Sequence, residues 1–258
     1  MSRQPVLFVG HGNPMNTLER NLDSQVWREI GEGLPRPRAI LAISAHWQTR
    51  GVAVTAMDKP ETIHDFAGFP PELYAFQYPA PGDPGLASRV AERLAPIPVA
   101  LDADWGLDHG AWSVLAHLFP AADIPVVQLS LDAGRSAAGH LDLAARLAPL
   151  REEGVLILGS GNTVHNLRRM DWHRPESAHD WAERFDARVR SALRAADAAA
   201  LARLVSEGDA DAQLAVPTPE HYLPLLYVAA LARPDDTIQL FNERIEYGAI
   251  GMLGCRIG

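Results

Sequence analysis

The sequence predicts an α/β protein: one three-layer domain over residues 1–258, with a central, mostly parallel sheet flanked by helices and a C-terminal β-hairpin. Apolar runs short enough to be buried strands alternate along the chain with segments of helical periodicity, which is the pattern of stacked strand–helix units. No internal repeat or linker divides the 258 residues. A chain of that length can bury a sizeable core in one domain.

The predicted strands that matter most for function are three apolar runs, at residues 6–9, 39–45 and 155–159. Each run is followed within a few residues by a histidine, namely His11, His46 and His165. Ligands of open α/β sheets bind beyond the carboxyl ends of the strands. We therefore expect these three imidazoles to lie along one rim of the sheet.

The remaining elements follow from periodicity and from turn residues. Helices are predicted at residues 14–33, 84–94, 105–118, 137–150 and 180–205, and shorter strands at residues 52–55, 98–101 and 124–131. Thr218 and Pro219 predict a helix start, as the N-cap and the first-turn residue. Two β-rich segments on either side of Gly248 predict the closing hairpin.

Residues 57–84 form a long connection without periodic pattern, and such connections in compact domains are usually functional or disordered. Aromatic residues, including Phe66 and Phe69, indicate an ordered segment that walls a pocket. We expect Phe66, Phe69 and the neighbouring His64 to contact a substrate.

Composition excludes several classes of protein. The formal net charge is -9 and there is no Lys/Arg cluster, which argues against nucleic-acid binding. Cys255 is the single cysteine, so an intramolecular disulfide and a cysteine-cluster metal site are excluded. We see no signal peptide and no apolar stretch of membrane-spanning length. The expected location is the cytoplasm, away from membranes, and the sequence leaves the oligomeric state open.

Four histidines, His11, His46, His165 and His221, follow a predicted strand or open a predicted helix. Imidazole is a common ligand of zinc and iron, and three such ligands with open positions make a catalytic metal centre. Each of these histidines alone is more typical of an ordinary hydrogen-bonded loop residue, and it is their shared strand-end context that favours a metal site. Their separations along the chain match no local metal-binding motif. The pattern indicates a histidine metal site and leaves that alternative open.

The other histidines are assigned from their local sequence. His109 follows Asp108 at a predicted helix start, where it could act as a general acid or base beside a metal, with Asp108 orienting it. A surface histidine near a helix cap is the competing interpretation. Helical or strongly polar surroundings predict solvent exposure for His117, His140, His173 and His179.

Two other chemistries have weak sequence support. Ser160 has glycine one residue away on each side, whereas the nucleophile turn of serine hydrolases has glycine two residues away. Gly10-His11-Gly12 lacks the third glycine of a dinucleotide fingerprint and the lysine of a phosphate loop.

Seven motifs, in order along nearly the whole chain, resemble those of the DOPA 4,5-dioxygenase family of class III extradiol dioxygenases, enzymes that cleave catechol rings. The motifs are GHGNPM at 10–15, SAHW at 44–47, IHDFAGFP at 63–70, YPAPG at 78–82, GLDHG at 106–110, GNTVHNL at 161–167 and TPEHYLPL at 218–225. Bacterial members are the most similar in these motifs.

The resemblance implies one divalent metal ion, held by His11, His46 and His221, with His165 as a fourth ligand or as the acid/base beside the metal. It implies that His109 lines the catechol pocket, and that a catechol such as DOPA reacts with O₂ to give a muconic semialdehyde. Fe(II) is expected for this activity. The wider class has a carboxylate where this sequence has His221, and an all-imidazole donor set also suits Zn(II), as the bound or isolated metal. Glu220 is expected to point elsewhere from a helix.

Two alternative functions remain compatible with the same scaffold. A zinc-dependent hydrolase would act through a metal-activated water and need no O₂. A metal-binding protein without catalysis is the second alternative, because a shared fold does not guarantee a shared activity.

Overall fold

A six-stranded sheet forms the centre of the molecule, in the order β6-β2-β8-β1-β12-β9. The structure is a computed structural model and describes residues 3–258. Its strands are β1 (Val6–Gly10), β2 (Ala39–Ser44), β3 (Gln48–Thr49), β4 (Val52–Thr55), β5 (Val99–Asp102), β6 (Val126–Gln128), β7 (Leu131–Asp132), β8 (Val155–Gly161), β9 (Ile238–Phe241), β10 (Ile245–Glu246), β11 (Ile250–Gly251) and β12 (Gly254–Ile257).

Ten α-helices are present among the described residues. They are α1 (Leu22–Gly33), α2 (Pro71–Tyr74), α3 (Pro84–Leu94), α4 (His109–Leu118), α5 (Ala137–Ala145), α6 (Pro149–Glu152), α7 (Asp180–Arg194), α8 (Ala198–Ser206), α9 (Ala210–Ala215) and α10 (Leu223–Ala229). None of these helices combines the length and apolar character needed to cross a membrane.

The sheet is parallel from β6 through β2 and β8 to β1, and β12 adds antiparallel to β1. Strand β9 then pairs antiparallel with β12, so the C-terminal strands extend the main sheet. Small two-stranded sheets pair β3 with β7, β4 with β5 and β10 with β11. The predicted mostly parallel sheet and the predicted C-terminal hairpin are both confirmed.

Helices cover both faces of the sheet because its central strands are apolar on both sides. Successive residues of β1 illustrate this: Val6 and Phe8 pack into one core, while Leu7 and Val9 pack into the other. The first core is completed by α3, α5 and α7 to α10, and the second by α1, α4 and the loop before α3. This is the three-layer arrangement that the sequence predicts.

Three predicted helices are interrupted in the structure. The segment 14–33 divides into a 3₁₀ turn and α1, because Asn21 and Ser24 form a capping box that starts a new helix. The segment 180–205 divides at Ala196, which has φ 52°, and Asp197 caps α8. The segment 137–150 divides into α5 and α6, with Pro149 at the start of α6.

Two predictions from local sequence are wrong. Thr218 is not an N-cap: its hydroxyl donates to Glu220, residues 219–222 form a turn, and α10 begins at Leu223. His117 and His140 are buried rather than exposed, because each finds a hydrogen-bond partner inside the protein.

The carboxyl ends of the parallel strands bring the functional candidates together. Strand β8 lies between β2 and β1. After its carboxyl end, β1 is followed by His11, β2 by His46 and β8 by His165. Because parallel strands end at the same edge of a sheet, these histidines lie along one rim.

Candidate metal centre and substrate cavity

Five imidazoles converge at this rim, from His11, His46, His109, His165 and His221. Three follow β1, β2 and β8, one opens α4, and one lies in the turn before α10. The histidines that the sequence singles out for metal binding or acid–base chemistry are therefore neighbours in the structure.

Three of the rings form a nearly equilateral triangle. The ring centroids of His11 and His46 are 5.1 Å apart, those of His11 and His221 are 5.4 Å apart, and those of His46 and His221 are 5.0 Å apart. With metal–nitrogen bonds of about 2.0–2.1 Å, imidazoles on one tetrahedral ion have ring centres roughly 5 Å apart. The centroids of this triangle therefore have the spacing of three imidazoles around a single ion.

Ser160 determines which nitrogen of His11 is available. The hydroxyl of Ser160 donates to the backbone carbonyl of Gly110, so it can accept a hydrogen bond from Nδ1 of His11, which lies 3.0 Å away. This contact places the ring proton on Nδ1 and leaves the Nε2 lone pair of His11 free. That Nε2 atom lies 3.2 Å from Nε2 of His46, close to the separation of two nitrogens bound to one metal ion.

Asp65 is the carboxylate behind the second and third imidazoles. Its Oδ1 lies 2.9 Å from Nδ1 of His109 and accepts a hydrogen bond from the backbone N–H of the same residue. Its Oδ2 lies 3.5 Å from Nδ1 of His46. Asp65, rather than the sequence neighbour Asp108, therefore orients His109.

Asp108 has a structural role at the start of α4. Its buried carboxylate caps α4 at Ala111, and it accepts hydrogen bonds from Ser44 and from Gln128. Gly110 follows in the first turn, where a Cβ atom would lie 2.8 Å from Cδ2 of His46. The helix can pack this close to His46 because residue 110 has no side chain.

The turn that carries His221 is fixed to the end of β8. The N–H of Asn162 donates to the carbonyl of His221, and any Cβ on Gly161 would collide with that same carbonyl. His221 then stacks on His165 with ring centroids 3.5 Å apart. Oε1 of Glu220 lies 3.3 Å from Nδ1 of His221, so Glu220 faces the site instead of pointing away, because it lies in a turn and not in a helix.

Burial keeps most of these imidazoles neutral. It lowers the pKa of His11 and of His221 well below the ordinary value, with further lowering from neighbouring histidines. Burial and then His109 lower the pKa of His46 to about 3, and burial lowers that of His165 to about 4. Although desolvation acts to raise it, contacts with His109 hold the pKa of Asp65 below its usual range.

These observations fit a divalent metal ion. The imidazoles of His11, His46, His165 and His221 are neutral at neutral pH, which is the protonation state that binds metals. The ligand atoms of His11, His46 and His109 lie within 4.8 Å of one another, and so do those of His165, Glu220 and His221. These two donor sets share no residue and lie side by side on the same rim, with His11 and His46 in one and His221 in the other.

A cavity of about 330 Å³ opens onto the five histidines. Its wall is mostly apolar or aromatic, and the side chains that supply this character are Pro14, Phe66, Phe69, Leu167, Met170, Trp172, Tyr247 and Ile250. A mostly apolar cavity with a few converging polar groups is typical of a small-molecule site. Its volume is at the lower end of the usual range for such sites, which suits a single substituted aromatic ring.

The structure places Phe66 and Phe69 on the cavity wall, as expected for substrate contacts. His64 is not on that wall: its Nε2 atom lies 3.0 Å from the carbonyl of Phe76 and its ring packs against Trp112. His64 supports the loop from inside, and its substrate contact stays a prediction. Sequence reasoning missed Ser160 and Asp65 as partners of the histidines, although Asp65 lies within the motif at 63–70 and Ser160 directly precedes the motif at 161–167.

Comparison with known proteins gives consistent matches. Residues 8–255 match the family model described as the catalytic LigB subunit of aromatic ring-opening dioxygenase. The chain is 50% identical, over 100% of its length and 96% of the relative, to the 4,5-DOPA dioxygenase extradiol of Escherichia coli K12. It is 37% identical to the protein of the same name from Beta vulgaris, over 93% and 91% of the two chains.

A solved structure is similar over its full length. The crystal structure of the uncharacterized protein JW3007 from Escherichia coli K12 matches with a TM-score of 0.87 and 46% sequence identity, covering 99% of this chain and 100% of that one.

Proposed function

This chain belongs to the LigB family of aromatic ring-opening dioxygenases, and from that membership we propose that it cleaves the ring of a catechol such as DOPA beside its hydroxyl groups. Both atoms of O₂ enter the product, a muconic semialdehyde. The observation that carries the proposal is the triangle of neutral imidazoles at an aromatic-walled cavity. Family membership favours this reaction over hydrolysis and over metal binding without catalysis.

We assign the divalent metal to His11, His46 and His221. The cation supplies Lewis acidity toward the catechol oxygens and, as Fe(II), a route for electrons from the ring to O₂. Ser160 holds His11 in the ligating tautomer, and Glu220 supports His221 from its Nδ1 side. The same donor set suits Zn(II), so we expect zinc in protein isolated without added iron.

His165 is assigned the proton transfers. Burial lowers its pKa to about 4, so the ring is neutral at pH 7 and can accept a phenolic proton. Its stacking on His221 places it beside the proposed metal ligands. The nearby carboxylate of Glu220 opposes the lowering of the pKa and stabilises the ring once it is protonated. His165 then returns the proton as the ring opens.

His109 and the aromatic wall hold the reactants. Oδ1 of Asp65 lies 2.9 Å from Nδ1 of His109. The Nε2 atom of His109 is therefore left to form a hydrogen bond with an oxygen of the substrate or of O₂. Phe66 packs edge-on against His109, with ring centroids 5.4 Å apart, and both line the cavity. The aromatic side chains there bind the catechol ring and exclude water.

Oxygen uptake tests the proposal. Protein stripped of metal is reloaded anaerobically with Fe(II) or with Zn(II), then exposed to O₂ and a panel of catechols. The Fe(II) form should consume one O₂ per catechol and yield a yellow ring-opened product, whereas the Zn(II) form should consume none. If no catechol causes O₂ consumption by the Fe(II) form, the proposal is wrong.

A further inference from the structure

One carboxylate lies on the cavity wall. Among the described residues that line the cavity, Glu246 is the single acidic side chain, and no lysine or arginine lines it. The rest of the wall is apolar, aromatic, amide or imidazole. The proposed ring cleavage makes no use of Glu246, so its presence needs a separate explanation.

The strand register places Glu246 at a definite distance from the histidines. His165 forms a bridge with Ile250, and Ile250 is paired in turn with Glu246 across β10 and β11. Directly opposed residues point to the same face, and all three of these line the cavity. Two strand spacings put the backbones of Glu246 and His165 roughly 10 Å apart. An amine carried two carbons from a catechol ring can span that gap.

Glu246 is held in place by Arg244, which does not line the cavity of the histidines. Nη2 of Arg244 donates to its Oε1 over 3.1 Å, and the same guanidinium pairs with the buried carboxylate of Asp23. Among residues 3–258, Oε2 of Glu246 pairs with no lysine or arginine. Glu246 also contacts the Asp23 carboxyl, and burial together with Glu246 raises the pKa of Asp23 to about 7. Arg244 thus anchors one oxygen of Glu246, and the other has no cationic partner.

A second groove supports this arrangement. It shares Asn13, Glu246 and Tyr247 with the cavity, it is also lined by Arg244, and it contains no histidine. Glu246 therefore lies where the cavity meets the groove, at the part of the wall from which a substrate's side chain would extend. A carboxylate in a partly desolvated, largely apolar wall attracts a cation and repels an anion.

We infer that Glu246 is a specificity-determining residue that binds the ammonium group of the substrate's side chain, and that Arg244 is a positioning residue for it. The inference rests on the proposed ring cleavage and narrows its substrate class to catechols that carry a primary amine. Catechol amino acids and catecholamines share that group.

Four catechols distinguish recognition of the amine from recognition of the carboxylate. They are DOPA, which carries both groups, dopamine, which carries the amine, 3,4-dihydroxyphenylpropanoate, which carries the carboxylate, and 4-methylcatechol, which carries neither. With the Fe(II)-loaded enzyme, we expect kcat/KM to be highest for the two amines and lowest for the anionic propanoate. A charged hydrogen bond of this kind contributes about 10- to 100-fold. In E246Q, the ratio of kcat/KM for each amine to that for 4-methylcatechol should fall by that factor, while the propanoate gains.

Binding without turnover provides a second measurement. Trp172 lines the cavity, so its fluorescence should report anaerobic binding of dopamine and of 4-methylcatechol to the Zn(II)-loaded protein. The Kd ratio of these two ligands should shift in E246Q as the kinetic ratio does. The matched control is E243Q, because Glu243 is exposed and pairs with Arg190 and Arg194 outside the cavity.

The outcomes distinguish the two proposals. An amine preference that is lost in E246Q and kept in E243Q supports the role of Glu246. If 4-methylcatechol reacts and E246Q leaves both ratios unchanged, the Glu246 assignment is overturned while ring cleavage stands. If none of the four catechols binds or consumes O₂, ring cleavage itself fails and the inference fails with it. If E246Q lowers the ratios for DOPA but not those for dopamine, the assignment is also overturned, because only the carboxylate of DOPA distinguishes these two amines.

Discussion

At the scale of single residues, the hydroxyl of Ser160 orients His11, the first imidazole of the proposed metal site. Ser160 is fully buried, and its contact with Nδ1 of His11 selects the tautomer whose Nε2 can bind a metal. Ser160→Ala should lower metal affinity by about 10- to 100-fold, the usual effect of removing a partner of a metal ligand. Competition with a chelator measures the change.

A buried serine elsewhere supplies the control for that variant. Ser113 lies in α4, it is buried, and its hydroxyl has no hydrogen-bond partner among the described residues. Ser113→Ala should leave metal affinity unchanged. Equal metal affinities for Ser160→Ala and Ser113→Ala would show that Ser160 does not prepare His11 for metal binding.

His165 is predicted to move protons and not to bind the metal. His165→Ala should lower kcat by about 10²- to 10⁴-fold, the usual contribution of an acid/base group, while KM changes little. Metal analysis of the same protein decides between the two roles that the sequence left open. A variant that loses its metal stoichiometrically would make His165 a ligand. His173→Ala, at an exposed position, is the control.

Sequence reasoning found the imidazoles and missed what supports them. His11, His46 and His165 were identifiable because each follows an apolar strand, a pattern visible within a few residues. Ser160 and Asp65 act on histidines that are 149 and 44 positions away, so their roles depend on which elements become neighbours. Glu220 was misplaced because the helix was expected to begin too early.

At the scale of elements, the close packing of α4 against β2 fixes His46. Gly110→Ala improves helix propensity, but its methyl group would collide with Ser44 and lie 2.8 Å from Cδ2 of His46. We therefore expect weaker metal binding with a largely intact fold, measured by metal titration and by thermal unfolding. The control is Gly33→Ala near the end of α1, where a Cβ atom meets nothing within 4 Å. If both variants bind metal equally, the packing does not position His46.

The element boundaries show where local sequence is informative. Helix α3 was predicted at residues 84–94 and has those bounds, because Pro84 opens it and Asp83 caps it. The helix predicted at 180–205 breaks at Ala196, a residue with high helix propensity, so periodicity gave no signal of the break. Tertiary packing of α7 and α8 against the core overrides the local preference there.

At the scale of the whole molecule, strand order creates the site. The sequence indicated several parallel strands with histidines at their ends, but it did not give the order that places β8 between β2 and β1. That order depends on crossover connections through helices, which no short motif encodes. The resemblance of seven motifs to a known family implies the proposed metal ligands, which spacing alone left open.

Stability should depend on pH through the buried His140, which is fully buried and bonds to the hydroxyl of Tyr227. Burial lowers its pKa from 6.5 to about 4, so between these values the unfolded state binds the extra proton. The contribution of neutral His140 to the free energy of unfolding is fully present above pH 6.5. It is lost as the pH falls toward 4, and the total loss is about 3 kcal/mol. As the pH is lowered from 6.5 to 4, the free energy of unfolding measured in urea should therefore decrease more steeply for the wild-type protein than for His140→Gln. Parallel pH profiles would contradict this assignment.

The central claim is that imidazoles from three distant parts of the chain hold one metal ion. The most direct test is a crystal structure of the Zn(II)- or Fe(II)-loaded protein, with the ion located by its anomalous scattering. One peak is expected, within bonding distance of ring nitrogens of His11, His46 and His221. A peak held instead by His11, His46 and His109, or by His165, Glu220 and His221, would contradict it.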